Sequence, residues 1–442
     1  MVVTTPATAT GKPPSYPPAH RVWAWRGRPR TVALVYLAGT FVAFLLIGRV
    51  SEVPNPPLLV GFVVATLVAF AAGYTLRLRA AQPPLVPLDR VRPPTFLIVA
   101  SALYLLALGV AYMRNAGVTG PGDVLNAATN PGAAYFNRLH SESTAVSVTV
   151  QVLTLTAALY PLLIPLAVFH WRRLGTAARV LTIAGVVAYV AHYVAIGTMK
   201  GIGDMVIFFA VSLAAKRAID RLEHGQRPAT RPRRLRMVAV AVIGMFLGYM
   251  TVAQSDRLAV ADSELFPPNP AVAAVVGEDA ARGLAATVTY PVHGYLGLAY
   301  NLETPFVWTH GLGGSPAAGS YWAQYTGRDS RVSDRYTART EARTGWPDGM
   351  YWSTIYPWLA SDLTYPGALL FMAVVGWFLA KFWQEAVRQK RLLSLSLLCQ
   401  LAVLIAYVPA NNQIGQMRPS LIAFVTTAVL SVLDRLRRSR PT

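Results

Sequence analysis

The chain has 442 residues, 54% of them hydrophobic and 14% charged, with a mean hydropathy of +0.40. That is more apolar than a soluble domain of this length requires, and the single Cys399 excludes an intrachain disulfide. A formal net charge of +20 would suit a nucleic-acid binder, but the placement of that charge argues against the class.

Residues 1–20 are rich in Pro, Thr and Ala and read as disordered, and Trp23, Trp25 and the arginines from Arg21 to Arg30 suit an interfacial anchor. Residues 1–30 are therefore expected to be a disordered cytoplasmic tail, with no cleavable signal peptide. Apolar stretches follow at about 31–48, 57–76, 95–113, 146–170, 180–198, 202–215, 237–253, 363–380, 392–409 and 417–433. Most approach the roughly 20 residues that cross about 30 Å of hydrocarbon. The expectation is an all-α polytopic membrane protein of about ten transmembrane helices. Helices one to seven occupy 31–253, a long, partly helical extracytoplasmic loop occupies 254–362, helices eight to ten occupy 363–433, and 434–442 is a cytoplasmic tail. The sixth stretch is the weakest, since only Met205 to Ala215 separates Asp204 from Lys216.

With every stretch crossing, the segments assigned inside carry 28 Lys/Arg and 5 Asp/Glu, and those assigned outside carry 12 and 15. This positive-inside asymmetry places both termini in the cytoplasm and the chain in the cytoplasmic (plasma) membrane. The +20 is then an orientation signal, and no nucleic-acid partner is expected.

Two segments assigned outside are long. Arg114 to Ala145, with Gly117, Gly120, Pro121, Gly122, Pro131 and Gly132, reads as an irregular loop. In the second, Ala271 to Val288 reads as one helix, and Trp346 to Trp358 as an aromatic belt leading into the eighth span. A loop of this length is uncommon unless it works.

The chemistry is sought at the outer surface. In GTMKGIGD, Lys200 and Asp204 stand four apart, and Gly197, Gly201 and Gly203 precede or open a helix. Exposed amides beside Lys200 suit a phosphate. On spacing alone a glycine turn with a local ion pair is the stronger reading. Arg335, Arg339 and Arg343 recur every four residues and make one stripe if helical. The stripe reads equally as a diphosphate grip or as a solvated face neutralised by Asp334 and Glu341. Arg418 heads the last span beside Asn411, Asn412 and Gln413, and Arg49, Arg114 and Arg138 also lie outside. Candidate bases are His293, Glu303, His310, Glu341, Asp348 and Asp362, none in a recognised catalytic spacing. A lone His192 reads as a packed polar residue. The first outer loop holds only Glu52, which disfavours glycosyltransferases that use polyprenyl-monophosphate sugars.

The layout, with GTMKGIGDMVIFF (Gly197–Phe209), TYPVHGYLGLAYNLETPFVWTHGLGG (Thr289–Gly314) and WSTIYPWLASDLTYPGALLFMAVVG (Trp352–Gly376), resembles the oligosaccharide repeat-unit polymerases. These are the Wzy-type, O-antigen polymerase-like enzymes, related in architecture to the O-antigen ligases. The resemblance implies a glycosyltransferase of cell-surface polysaccharide biosynthesis that uses a polyprenyl-diphosphate-linked oligosaccharide as donor. It further implies no metal or other cofactor, and a flippase and a chain-length regulator as partners beside the bilayer itself. Under it, Lys200, Arg335, Arg339 and Arg418, then Arg114 and Arg343, are expected to hold the diphosphate, and His293, Glu303 or Asp348 to take the acceptor proton. The alternatives are an O-antigen ligase-like glycan transferase, or a transporter or flippase of envelope precursors. Ion-coupled transport is disfavoured by the apolar centres of spans one to four and seven to ten.

Overall fold

The computed structural model describes residues 19–87, 94–141, 148–224, 237, 244, 247–256, 267 and 270–438. Among these, all regular structure is helical. The helices are α1 (Ala19–Ile47), α2 (Pro56–Arg79), α3 (Thr95–Asn115), α4 (Pro121–Thr129), α5 (Pro131–Ser141), α6 (Val148–Leu155), α7 (Leu163–His170), α8 (Thr176–Ala195) and α9 (Lys200–His224). After a helical stretch over 247–256 come α10 (Pro270–Val276), α11 (Glu278–Thr289), α12 (Gly294–Leu302), α13 (Pro316–Thr326), α14 (Tyr336–Thr344), α15 (Tyr356–Arg388), α16 (Leu392–Ala406), α17 (Gln413–Gln416) and α18 (Arg418–Arg438).

Among the described residues, six helices are long and apolar enough to cross a membrane: Arg26–Ile47, Pro56–Arg79, Thr95–Asn115, Thr176–Ala195, Tyr356–Arg388 and Arg418–Arg437. The chain is a helical membrane protein. The expected fourth span is broken rather than straight, because α6 meets Ala157–Arg173 at a 52° bend. A 3₁₀ turn from Ala157 to Leu162 containing Pro161 occupies the break, where the ring removes an amide donor and the helix cannot run through. The ninth stretch forms only the 15-residue α16. The sixth lies in the 25-residue α9, where Lys200, Asp204, Lys216 and Arg217 bound a short apolar centre. Residues 238–243 and 245–246 of the expected seventh span, the basic run 225–236, and residues 1–18 and 439–442 lie outside the described residues.

Three local expectations are corrected. Residues 19–30 belong to α1 and are not part of an unstructured tail. Arg26 Nη2 donates to Leu78 O at 2.7 Å and Arg30 Nη1 to Thr75 Oγ1 at 2.8 Å, so these basic residues dock α1 on α2. The presumed irregular loop 114–145 contains α4 and α5. Each opens on proline, whose missing amide proton is harmless at the first helical position, and Asp123 caps α4 by accepting from the Thr119 and Gly120 amides. Those three hydrogen bonds, including one from the Thr119 hydroxyl, hold the Asp123 carboxyl below its usual range. The expected helix 271–288 divides at Gly277, whose φ of +87° is left-handed territory that glycine enters without strain.

The bundle is assembled on two close helix crossings. A Cβ built on Gly73 would lie 1.8 Å from Ala373 O, and one on Gly376 2.2 Å from Phe70 O, so α2 and α15 touch backbone to backbone. Gly109 against Ala188 and Gly185 against Ala102 do the same for α3 and α8. In lipid, where burial of apolar surface gives little drive, such small-residue contacts supply the packing. α15 is itself interrupted at Thr364, with φ 64° and ψ 169°, two residues before Pro366. The described part of the segment before α15, from α10 onward, folds against the bundle: Tyr295 is 1% exposed and packs on Phe41 and Phe44 of α1. Trp346 and Trp358, expected in an interfacial belt, are buried in the protein.

Candidate functional site

Where α8 ends and α9 begins, the chain turns on Gly197 at φ +61°, against Pro131 O and the Tyr135 amide. A Cβ there would sit about 2.5 Å from both, and one on Gly201 would strike the Tyr193 ring at 2.1 Å. These glycines admit neighbouring chain, which is the packing reading of the GTMKGIGD turn. Lys200 Nζ reaches Asp204 Oδ2 at 3.3 Å, the expected pair on the first turn of α9. Tyr160 OH also donates to Asp204 Oδ2, at 3.3 Å.

This turn forms one wall of a cavity of about 540 Å³. α3 contributes Tyr104, Tyr112 and Asn115; α5 contributes Arg138; α8 contributes Tyr189, His192 and Tyr193. α13 covers it with Tyr321, Gln324 and Tyr325, and Arg418 enters from the head of α18. Arg418 is oriented by Ser320, donating from Nε to Oγ at 3.0 Å and from Nη2 to the carbonyl at 3.3 Å, and its guanidinium lies 4.5 Å from the Tyr321 ring centre. Two of the five N–H donors of a guanidinium are thereby committed, and the other three remain for a ligand. Arg138 stacks 5.0 Å from the Tyr135 ring.

Among the described residues, Asp204 Oδ1 and His192 Nδ1 are buried in the wall without a hydrogen-bond partner, on residues 3% and 4% exposed, and the Tyr104 and Thr198 hydroxyl oxygens beside them are in the same state. A buried polar atom left unpaired costs on the order of 1–3 kcal/mol, so several beside one cavity mark a place where a ligand hydroxyl or phosphate oxygen would be matched. The cavity thus combines cations with a tyrosine-rich, largely apolar wall. That pairing suits an anionic head carrying an apolar or sugar-like body.

Of the residues expected to hold the diphosphate or take the proton, Lys200 and Arg418 line this cavity and the others do not; Arg138, Asp204 and His192, noted in the sequence without those roles, also line it. Arg114 is exposed at the end of α3, beside the lining residue Asn115. Arg335, Arg339 and Arg343 do not form one stripe. Arg335 precedes α14 with extended backbone and is 5% exposed, its guanidinium 5.6 Å from the Trp358 ring centre. Arg339 Nη1 donates to Pro305 O at 2.7 Å and Arg343 Nη1 to Glu303 O, so both pin the chain after α12. Glu303 caps α12. His293 Nε2 accepts the Trp352 amide at 3.1 Å, and burial pushes its pKa down to about 4, leaving a neutral ring whose basic lone pair is occupied. Asp348 is half-buried beside Arg335, and desolvation raises its carboxyl pKa.

Asp362 instead ties the segment together. Its carboxylate accepts from Thr309 Oγ1 at 2.5 Å and from the amides of Gly311, Gly313 and Gly314 at 2.8, 3.3 and 2.7 Å. Asn412 Nδ2 donates to Gly314 O at 2.7 Å, and Ser315 Oγ to Gly415 O at 2.8 Å. The polar cluster before α18 therefore docks the Gly-rich link, and that docking carries α13 over the cavity.

The sequence reading passed over Asp204 as a reactive group and His192 as a site residue. A signal was present in the spacing of Tyr104, Leu108 and Tyr112 on α3 and of Tyr189, His192 and Tyr193 on α8. Both are helical stripes that mix polar and apolar groups and face this cavity. No protein-family model matches the chain, and neither a curated protein nor a solved structure matches it.

Proposed function

We propose that the chain polymerises lipid-linked oligosaccharide repeat units at the outer face of the cytoplasmic membrane. In this reading it spans the membrane about ten times, with both termini in the cytoplasm. The observation that carries the proposal is the convergence of Lys200, Arg138 and Arg418 on one tyrosine-lined cavity that also holds the unpaired atoms of Asp204 and His192. The charge distribution along the chain supports placing that cavity outside.

The diphosphate of a polyprenyl-diphosphate oligosaccharide lies against the three cations, and the first sugars lie along the tyrosines. A hydroxyl of a second lipid-linked glycan attacks the anomeric carbon. The new O–C1 bond forms as the C1–O bond to phosphate breaks, and the electron pair leaves with the polyprenyl diphosphate. Lys200, Arg138 and Arg418 stabilise the charge developing on that leaving group. Asp204 Oδ1 or His192 Nδ1 takes the acceptor proton, and the atom balance requires no cofactor.

Full-length protein in proteoliposomes, given a synthetic polyprenyl-diphosphate oligosaccharide, is expected to release polyprenyl diphosphate and lengthen the glycan on lipid. Accumulation of intact donor inside the vesicles without turnover would establish transport instead. Transfer of finished glycan to a non-diphosphate acceptor, with no chain growth, would establish a ligase.

A further inference from the structure

At the opposite end of α9 from Lys200, a second hollow of about 510 Å³ opens between α1 and α9, floored by α15 and α16. Small residues on its walls leave the space unfilled: Ala33 on α1, Ala214 and Ala218 on α9, and Ala402 on α16. Tyr36 closes the far end by donating its hydroxyl to Ala406 O at 2.6 Å. From Val211 to Arg221 the α9 wall is about 15 Å long, close to the depth of one leaflet of a roughly 30 Å hydrocarbon core.

Three guanidiniums, Arg28, Arg217 and Arg221, stand at the other end. Arg28 and Arg221 make no ion pair among the described residues. The nearby carboxylates are engaged elsewhere. Glu223 binds Lys390 at 2.7 Å, Glu385 binds Arg435 at 2.8 Å, and Asp220 acts on the Lys216 ammonium. An apolar slot of leaflet depth that ends in three guanidiniums, with Arg28 and Arg221 making no ion pair among the described residues, is complementary to one molecule type. We infer that this groove binds an anionic phospholipid, one acyl chain lying along α9 and α16 and the phosphate held by Arg28, Arg217 and Arg221. The lipid would bridge α1 to α9 across the gap, and the inference stands independently of the polymerase reading.

The test uses full-length protein reconstituted in vesicles of equimolar phosphatidylglycerol and phosphatidylcholine, re-extracted, with retained lipid quantified by mass spectrometry. The wild type should retain phosphatidylglycerol over phosphatidylcholine by about tenfold. The Arg28→Gln/Arg217→Gln/Arg221→Gln variant should lose the preference, while Arg172→Gln/Arg173→Gln, which removes two positive charges away from the groove, should keep it. Ala214→Trp/Ala402→Trp, which fills the slot and spares the arginines, should reduce retention of both lipids. Equal retention by the wild type, or an undiminished preference in the triple variant, overturns the inference. So does a stoichiometric polypeptide co-purifying in place of lipid.

Discussion

Replacing Lys200 by Met tests whether the ion pair at the cavity wall is a structural couple or two independent side chains. Asp204 is 3% exposed and the Lys200 side chain retains 20% of its surface, so Met leaves a carboxylate almost fully desolvated with only the Tyr160 hydroxyl at 3.3 Å. Removing one partner of a buried pair costs about 3–5 kcal/mol; with a fifth of the lysine exposed, the lower end, about 3 kcal/mol, applies. Asp204→Asn alone should cost less, about 1–2 kcal/mol, because the lysine can extend toward water and Tyr160 keeps an acceptor. The double variant removes both charges and should be more stable than Lys200→Met by about 2 kcal/mol. The measurement is reversible unfolding of the detergent-solubilised protein for the four members of the cycle. Single effects that add within about 0.5 kcal/mol would refute the coupling. Turnover adds a second axis: if Lys200 also holds a diphosphate, the double variant regains stability and stays inactive.

Further outcomes follow from the same geometry. Gly376→Ala places a methyl 2.2 Å from Phe70 O and should destabilise by about 1–3 kcal/mol, whereas Gly61→Ala on α2, with nothing within 4 Å, should be neutral or stabilising; thermal unfolding of both decides. Asp362→Ala removes the acceptor of three amides and a hydroxyl, so the 309–314 link should become sensitive to limited proteolysis at a cost of about 3 kcal/mol. His293 has a folded pKa of about 4 against an ordinary 6.5, so the folded state favours the neutral ring. Its contribution is present above pH 6.5 and is lost as pH falls toward 4, about 3 kcal/mol in all. His293→Gln, which can still accept the Trp352 amide, should flatten that part of the stability–pH curve. Arg418→Lys keeps charge but loses the planar fork on Ser320 and Tyr321, and should reduce turnover about tenfold or more without loss of fold. Unchanged turnover would remove Arg418 from the site.

The spans were legible because apolar runs long enough to cross a bilayer need no partner to announce themselves, and α1, α2, α3, α8, α15 and α18 all fall on such runs. The break at Pro161 and the helices α4 and α5 were hidden by the same cause. Proline removes a donor anywhere, and whether that ends a helix or begins one depends on what lies before it. The arginines of 335–343 share a four-residue spacing, yet Arg335 lies ahead of the helix, buried against Trp358, while Arg339 and Arg343 hold carbonyls. Spacing could not separate those roles, because the partners come from elsewhere in the chain.

The sequence by itself determines a helical membrane protein, through hydropathy and length, and marks Lys200, Asp204 and Arg418 as polar groups at helix ends. Tertiary structure alone decides that these groups meet Arg138, His192 and a wall of tyrosines in one cavity. The reason is physical: hydropathy is a local property of each segment and its surroundings in lipid. A cavity exists only where α3, α5, α6, α8, α9, α13 and α18 fail to fill the space between them, and that depends on the glycine contacts setting how closely helices pack.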